Sequence, residues 1–318
     1  MFLIISLNCV YGQQLNWLAE INDFGNNPGN LKMFVHSGVS KPEIQMPLVV
    51  VLHGCGENAK SASELSGWNK LADLNGFIVV YPQQKFSNNA DLCFNWFKRG
   101  DIEKGKGECE SIYQMISFAK QHYNIDSNRV FVTGFSAGAA MSVVMLATHP
   151  ESFRSGAVFA GGAYKIANNA IEGLKAMLGK RDISKEILIK NVREQNPQYK
   201  SRYPQMIVYQ GLDDLVVNQK NANTLINQWT GIHNADTIAD KIEPSFSGVE
   251  DITRIEYNDS LGEKVLIYYK VNNLGHRLMI KPGEKDNECG RTGTFAVDRG
   301  FNSTYQTVKD FGILHKDQ

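Results

Sequence analysis

A serine with the surroundings of a nucleophile lies in the segment Gly134-Phe135-Ser136-Ala137-Gly138. Residues 129–133 before it are β-branched and aromatic, typical of a buried strand, and the Ala-, Met- and Val-rich residues after it predict a helix that ends at Pro150. Gly-x-Ser-x-Gly between a strand and a helix indicates a nucleophile elbow, whose glycines permit a turn tight enough to expose the serine hydroxyl. A glycine-rich turn with a chance serine is the alternative for the bare pentapeptide. The flanking elements favour the elbow, so we predict that Ser136 is a nucleophile for acyl transfer.

Asp214 and His276 are the residues that we expect to activate this serine. In proteins with such an elbow, an acid and then a histidine follow the serine in the chain. Asp214 comes just after an apolar run at 205–210, and His276 lies in the loop after a second run at 264–271. Each interval is long enough for a crossover connection with its helix. The other histidines lie in strand, helix or terminal contexts that favour packing or surface roles.

The segment around His53 predicts the groups that would stabilise a negatively charged intermediate. A hydrophobic strand at 47–52 runs directly into His53-Gly54-Cys55-Gly56. The loop after such a strand donates one backbone N–H to the oxyanion, and the residue after the nucleophile donates the other. We assign these donors to Cys55, in preference to Gly56, and to Ala137. His53 is interpreted as a residue that supports the loop.

Longer segments extend this pattern over much of the chain. They are Leu-His-Gly-Cys at 52–55, residues 71–83, Cys-Phe-Asn-Trp-Phe at 93–97, residues 126–138, Gly-x-x-Asp-x-x-Val at 211–217, and residues 221–229. Together they resemble the polyhydroxybutyrate depolymerase family of secreted esterases, which also includes feruloyl and acetylxylan esterases. The resemblance covers residues 30–230 and the region of Gly275-His276, and it places the acid at Asp214 and not at Asp213.

Two positions depart from the family pattern. Ala139 stands where the family has glycine after Ser-Ala-Gly, and Arg277-Leu278 replace an Ala-Trp pair after the histidine. The second change removes an aromatic side chain beside His276, so it bears on the substrate more than on the chemistry.

The resemblance implies a serine esterase with an α/β-hydrolase fold, a Ser136–Asp214–His276 triad and no cofactor. The substrate is either a short-chain hydroxyacid ester or oligomer, or an acylated polysaccharide, and the sequence does not separate the two. A non-catalytic hydrolase-fold binding protein is disfavoured because the three residues are intact. Trp96 is a candidate for the wall of the substrate pocket, with core packing as the alternative.

The chain has 33 basic and 33 acidic residues, which indicates no nucleic-acid partner.

The cysteines predict two disulfides. Without Cys9, which falls in a candidate leader, four remain and allow three pairings. The family resemblance favours Cys55–Cys93, which leaves Cys109 and Cys289 as the second predicted pair. Metal ligation is the alternative, but the sequence has no CxxC or paired-histidine spacing, so we predict no metal.

The N-terminus bears on location. Residues 1–7 are mostly apolar, and Val10-Tyr11-Gly12 resembles a cleavage site ahead of Gln13. This predicts a short signal peptide at 1–12, and a buried N-terminal strand is the alternative. No run approaches the roughly 20 apolar residues of a membrane span. We therefore predict a secreted or periplasmic protein whose residues 13–318 form a single catalytic domain.

The hydrophobic pattern predicts the fold class. Strand-like runs lie near 31–36, 47–53, 77–81, 129–134, 155–160, 205–210, 252–257 and 264–272, with helical patterns between most of them. This alternation is typical of an α/β protein with a doubly wound, mostly parallel sheet and a site at the carboxyl ends of its strands. Residues 165–203 predict a helical insertion and residues 231–262 a variable excursion. Each either shapes the pocket or is a solvated surface segment.

Overall fold

A ten-stranded sheet forms the centre of the molecule. The computed structural model describes residues 18–38 and 43–314, so the predicted signal peptide at 1–12 lies outside the described residues. The strands are β1 (Ala19–Ile21), β2 (Lys32–His36), β3 (Met46–Leu52), β4 (Ile78–Gln83), β5 (Ile125–Phe135), β6 (Ser155–Phe159), β7 (Gln205–Gly211), β8 (Lys241–Glu243), β9 (Ile252–Asn258), β10 (Lys264–Val271), β11 (Leu278–Ile280) and β12 (Ala296–Asp298). The last two pair with each other in a separate small sheet.

The main sheet is parallel at its centre and antiparallel at both edges. Its order is β1-β2-β4-β3-β5-β6-β7-β10-β9-β8, and the six strands from β4 to β10 in this order run parallel. The edge strands β1, β2, β8 and β9 pair antiparallel. All of the predicted strands are present. Because the central strands are parallel, their carboxyl ends meet at one edge of the sheet, where α/β proteins place their sites.

Helices cover both faces of the sheet. They are α1 (Ala59–Ser66), α2 (Trp68–Asn75), α3 (Arg99–Ile102), α4 (Gly107–His122), α5 (Ala137–Thr148), α6 (Ala170–Met177), α7 (Lys185–Arg193), α8 (Lys220–Ile232) and α9 (Ser303–Asp310). Alternate residues of β3 enter two separate hydrophobic clusters, Leu48 and Val50 on one face and Val49 and Val51 on the other. Helices α4, α5, α7 and α8 pack in the first cluster, and α1, α2 and α9 pack in the second. This doubly wound arrangement is the predicted α/β-hydrolase fold.

The two segments that interrupt the alternation differ in structure. Residues 165–203 contain α6 and α7, as predicted, and α6 is tied to the start of α8 by a hydrogen bond from Asn221 Nδ2 to the Ala176 carbonyl (2.9 Å). Residues 231–262 contain the short edge strand β8, a 3₁₀ turn at Phe246–Gly248 and all of β9. No helix among the described residues is long and apolar enough to cross a bilayer.

The cysteine prediction is half right. Cys55 and Cys93 form a disulfide, with their Cα atoms 4.2 Å apart. The predicted bond between Cys109 and Cys289 is wrong, because both thiols are free and buried. Cys109 packs in the cluster on the α4 and α5 face of the sheet, whereas Cys289 packs in the cluster on the opposite face. The sheet therefore separates two sulfur atoms that an even cysteine count had suggested to be partners.

Candidate active site

The turn that carries Ser136 is held by two close backbone approaches. Ser136 has φ 55° and ψ −118°, a conformation that non-glycine residues rarely adopt. A side chain at Gly138 would place its Cβ 2.2 Å from the carbonyl oxygen of Leu52, and one at Gly134 would lie 2.4 Å from Gly138. The Ser136 N–H donates to the Phe159 carbonyl at 2.9 Å. Strands β3, β5 and β6 thus fix the turn, which has the geometry of a nucleophile elbow.

The structure brings Ser136, His276 and Asp214 into one hydrogen-bonded chain. His276 Nε2 lies 2.9 Å from Ser136 Oγ, and His276 Nδ1 lies 2.7 Å from Asp214 Oδ2. A carboxylate only accepts hydrogen bonds, so Nδ1 carries the proton and Nε2 accepts from the serine hydroxyl. The Phe135 ring packs against the imidazole with centroids 4.7 Å apart.

Asp214 is held from its other side by backbone groups. Its Oδ1 accepts from the N–H groups of Val216 and Val217, both at 2.8 Å, and its side chain is fully shielded from solvent. The neighbouring Asp213 is exposed, and its backbone N–H donates to the Leu274 carbonyl. Of the two adjacent carboxylates, only Asp214 reaches the histidine.

Cys55 and Ala137 line the same cavity as Ser136. Ala137 is the first residue of α5, so its N–H has no partner within the helix. The alternative donor in the other loop, Gly56, already donates its N–H to the Asp91 carbonyl at 2.8 Å. Because the Gly56 N–H already has a partner, Cys55 is favoured over Gly56 as the second N–H donor to an oxyanion beside Ser136.

His53 supports this loop in a defined tautomer. The backbone N–H of Gln84 donates to His53 Nε2 at 3.0 Å, so Nδ1 carries the ring proton and donates to the Gly54 carbonyl at 2.7 Å. Burial lowers the pKa of His53 to about 4, which keeps the ring neutral. The bond to the Gly54 carbonyl also sets the plane of the Gly54–Cys55 peptide. Since the peptide is trans, the Cys55 N–H points away from His53.

The cavity beside Ser136 has a volume of about 210 Å³. Its wall is mostly apolar and includes Trp96, Phe97, Met177 and Val217. Trp96 is 8% exposed and packs edge-on against Phe97, with ring centroids 5.4 Å apart. Met177 belongs to α6, so the insertion at 165–203 forms part of the wall. None of the lining residues, within the described ranges, comes from 231–262.

Glu108 is a buried carboxylate that was not among the residues predicted from the sequence. It accepts hydrogen bonds from Gln84 Nε2 (2.6 Å), Asn95 Nδ2 (2.6 Å) and Asn95 N (2.8 Å). Burial raises its pKa to about 7, and the nearby Asp101 adds to the rise. Asn95 precedes Trp96, so Glu108 anchors the cavity wall to α4. Its position one turn before Ile112 on the buried face of that helix was a signal in the sequence.

A second groove, of about 430 Å³, lies along His276. Leu215 and Val216 line it, and Leu215 is 91% exposed. Arg277 adds a positive charge to the groove, whereas Leu278 is buried and enters β11.

Within residues 18–38 and 43–314, no group of three or more His, Cys, Asp and Glu side chains is placed to hold a metal ion.

Comparison with known proteins finds esterases and a depolymerase among the similar sequences. Residues 33–240 match the family described as Esterase PHB depolymerase. The chain is 36% identical over 312 residues to poly(3-hydroxyalkanoate) depolymerase C of Paucimonas lemoignei, covering 98% of this chain and 73% of that protein. It is 31% identical over 233 residues to an acetylxylan esterase of Coprinopsis cinerea, covering 72% of this chain and 62% of that protein.

A solved esterase structure is also similar to this chain. The acetyl xylan esterase from Aspergillus awamori superimposes with a TM-score of 0.75 at 25% sequence identity, covering 82% of this chain and 94% of that one. The chain therefore belongs to the Esterase PHB depolymerase family and is a carboxylic ester hydrolase.

Proposed function

We propose that this protein is an exported serine esterase that cleaves short-chain hydroxyacid esters and oligomers with Ser136, His276 and Asp214. The observation that carries the chemistry is the chain of contacts at 2.9 Å and 2.7 Å from the serine through the histidine to a buried carboxylate. A solvent-shielded carboxylate on Nδ1 holds the imidazole in the tautomer that accepts the serine proton.

The proposed reaction has two steps. His276 Nε2 takes the proton of Ser136 Oγ as that oxygen attacks the ester carbonyl carbon. The carbonyl electrons move to the oxygen, which the N–H groups of Cys55 and Ala137 stabilise by about 3 kcal/mol each. The C–O bond then breaks, the leaving alcohol takes the proton from His276, and an acyl–serine ester remains. Water repeats the sequence, with His276 again as the base, and releases the acid.

The shapes of the two recesses favour a hydroxyacid oligomer. The apolar 210 Å³ cavity suits a short acyl unit, and the open groove along His276 suits the leaving chain. Exposed aliphatic side chains occur on α6, which contributes Met177 to the cavity wall, and on the loop after β7, which lines the groove; examples are Ile171 at 70% and Leu215 at 91%. Two arginines, Arg277 and Arg299, and one carboxylate, Asp213, line the groove, and this excess of positive charge suits the free carboxylate of a short oligomer. The alternative, an acylated polysaccharide, is favoured by the similarity to the Aspergillus awamori acetyl xylan esterase.

A panel of purified-enzyme assays tests this proposal. The substrates are nitrophenyl esters, hydroxybutyrate oligomers, methyl ferulate, acetylated xylan and crystalline polyhydroxybutyrate. We expect kcat/KM to be highest on the soluble short esters and oligomers, and clearing of the crystalline polymer to be slow. Arg277→Ala should raise KM for the anionic oligomers more than for a neutral nitrophenyl ester. A preference for acetylated xylan or methyl ferulate would instead support the alternative.

Export and the extent of the domain are part of the same proposal. The Cys55–Cys93 disulfide supports a secreted or periplasmic location, because such bonds persist in oxidising compartments. We propose that residues 1–12 are removed and that residues 13–318 form one catalytic domain. N-terminal sequencing of the exported protein should begin at Gln13, and recovery of the protein only from the cytoplasm would contradict this part of the proposal.

A further inference from the structure

Glu57 is a buried carboxylate next to the active-site loop that the proposed reaction does not use. Its residue is 7% exposed, and it lies just before α1, two positions after Cys55. It lines a small cavity of about 20 Å³ whose other walls are largely apolar, among them Leu65, Trp68, Phe135 and Leu278. A carboxylate is costly to bury unless it is hydrogen-bonded, so its placement calls for a specific partner.

That partner is the backbone of the loop. The Gly54 N–H donates to Glu57 Oε2 at 2.8 Å, and the Glu57 N–H returns a longer bond to the Gly54 carbonyl at 3.3 Å. The same carbonyl accepts the proton of His53 Nδ1 at 2.7 Å. Both polar groups of Gly54 are therefore held, one by the Glu57 side chain and the other by His53.

These contacts leave the Gly54–Cys55 peptide little rotational freedom. His53 holds the carbonyl of the Gly54–Cys55 peptide, and Glu57 holds the N–H of Gly54. Together these bonds restrain the φ and ψ angles of Gly54, about which the Gly54–Cys55 peptide would otherwise rotate. Glycine is the residue for which such restraint matters most, because it has no Cβ to limit its backbone. A side chain there would displace the carboxylate, since a Cβ on Gly54 would lie 2.9 Å from both Glu57 Oε2 and the Phe135 ring.

We propose that Glu57 is a positioning residue that directs the Cys55 N–H into the catalytic cavity through its hydrogen bond with Gly54. The proposal rests on the proposed function, in which the Cys55 N–H stabilises the oxyanion. Burial raises the pKa of Glu57, whereas the Gly54 N–H and the nearby His276 lower it. These effects agree with a carboxyl group that lies close to both the loop after β3 and His276. The role requires an acceptor oxygen at this position and not a negative charge.

The distinction between acceptor and charge gives a direct test with two variants. Glu57→Gln keeps an acceptor oxygen within reach of Gly54 and removes the charge, whereas Glu57→Ala removes both. We expect Glu57→Ala to lower kcat on nitrophenyl butyrate by about 10- to 100-fold with KM changed less than about 2-fold, since loss of a whole oxyanion donor costs about 10²–10³ in kcat. Glu57→Gln should stay within about 3-fold of the wild type. Glu64→Ala in α1, which removes a carboxylate whose partners are on the surface, is the matched control.

An inhibitor measurement separates positioning from a general loss of structure. A trifluoromethyl ketone forms a serine adduct whose oxygen occupies the oxyanion position, so its affinity should fall with kcat/KM in Glu57→Ala and return in Glu57→Gln. If Glu57→Ala does not fold, Glu57→Asp carries the same expectation, because its side chain is one methylene too short to reach Gly54.

The proposal is overturned if Glu57→Gln loses as much kcat as Glu57→Ala, or if the variant without the acceptor keeps wild-type kcat and inhibitor affinity. Absence of ester hydrolysis in the wild-type enzyme would instead refute the proposed function, so the two failures are distinguishable.

Discussion

Replacing Asp214 by asparagine tests the role of the buried carboxylate with little change of shape. Asp214 Oδ1 accepts two backbone N–H groups at 2.8 Å, and Oδ2 faces His276 Nδ1 at 2.7 Å. An asparagine has one acceptor oxygen, and the two backbone donors will take it. Its NH₂ group then faces Nδ1 of the histidine.

The size of the effect follows from the tautomer. An amide NH₂ only donates, so His276 Nδ1 must accept and the ring proton moves to Nε2. Nε2 then cannot accept the proton of Ser136, 2.9 Å away. Stabilising the wrong tautomer in a triad costs about 10⁴ in kcat, or about 5.4 kcal/mol at 1.36 kcal/mol per factor of ten. The two backbone hydrogen bonds survive, so the melting temperature should change by only a few degrees.

The assay is hydrolysis of nitrophenyl butyrate, with thermal unfolding followed in parallel. Asp213→Asn is the matched control, because that adjacent carboxylate is exposed, and its kcat should stay within about 3-fold of the wild type. A larger loss in Asp213→Asn than in Asp214→Asn, or a loss below about tenfold in Asp214→Asn with the fold intact, would refute this reasoning.

Three further predictions concern the pocket, the thiols and pH. Trp96→Ala should raise KM for hydroxybutyrate oligomers more than for nitrophenyl acetate, which reaches only the catalytic centre, and equal losses with a lowered melting temperature would make Trp96 structural. Burial raises the pKa of Cys109 to about 12 and that of Cys289 to about 11, so neither thiol should react with a disulfide reagent until the protein unfolds; labelling of the native protein at pH 8 would contradict this. Burial also raises the pKa of Glu108 from its ordinary 4.5 to about 7. Between these pH values the folded state holds a proton that the unfolded chain has released, so this contribution to stability is lost as pH rises through the window. Urea unfolding at pH 5 and pH 8 should show a smaller difference for Glu108→Gln than for the wild type, and an equal difference would exclude Glu108 as the source.

The strands and the three residues of the hydrogen-bonded chain could be singled out in the sequence because most of their signals are local. All seven residues of β3 are buried, since helices cover both faces of a parallel sheet, and such strands appear as uninterrupted apolar runs. The glycines on either side of Ser136 indicate a tight turn, because larger residues would not fit at these two positions. The resemblance to the family pattern Gly-x-x-Asp-x-x-Val separated Asp214 from Asp213, without knowledge of which side chain is buried.

The cysteines show where local signals end. An even number of cysteines states nothing about the face of the sheet on which each one packs. Cys109 is on a helix that covers one face, and Cys289 lies in a loop against the other. The pairing of Cys55 with Cys93 came from family resemblance, and their contact depends on a connection that spans β4.

The fold class, the elbow and the residue types available for acyl transfer follow from the sequence, because hydrophobic periodicity and glycine sterics act between near neighbours in the chain. The orientation of the loop after β3 depends instead on contacts between distant segments. Gln84 sets the tautomer of His53, and Asp91 engages the N–H of Gly56. Glu57 is near in sequence, but its carboxylate meets Gly54 in a recess whose apolar walls come from segments far apart in the chain. The partner of each polar group in this loop depends on where separate segments lie relative to one another. Those positions are set only when helices have packed on both faces of the sheet.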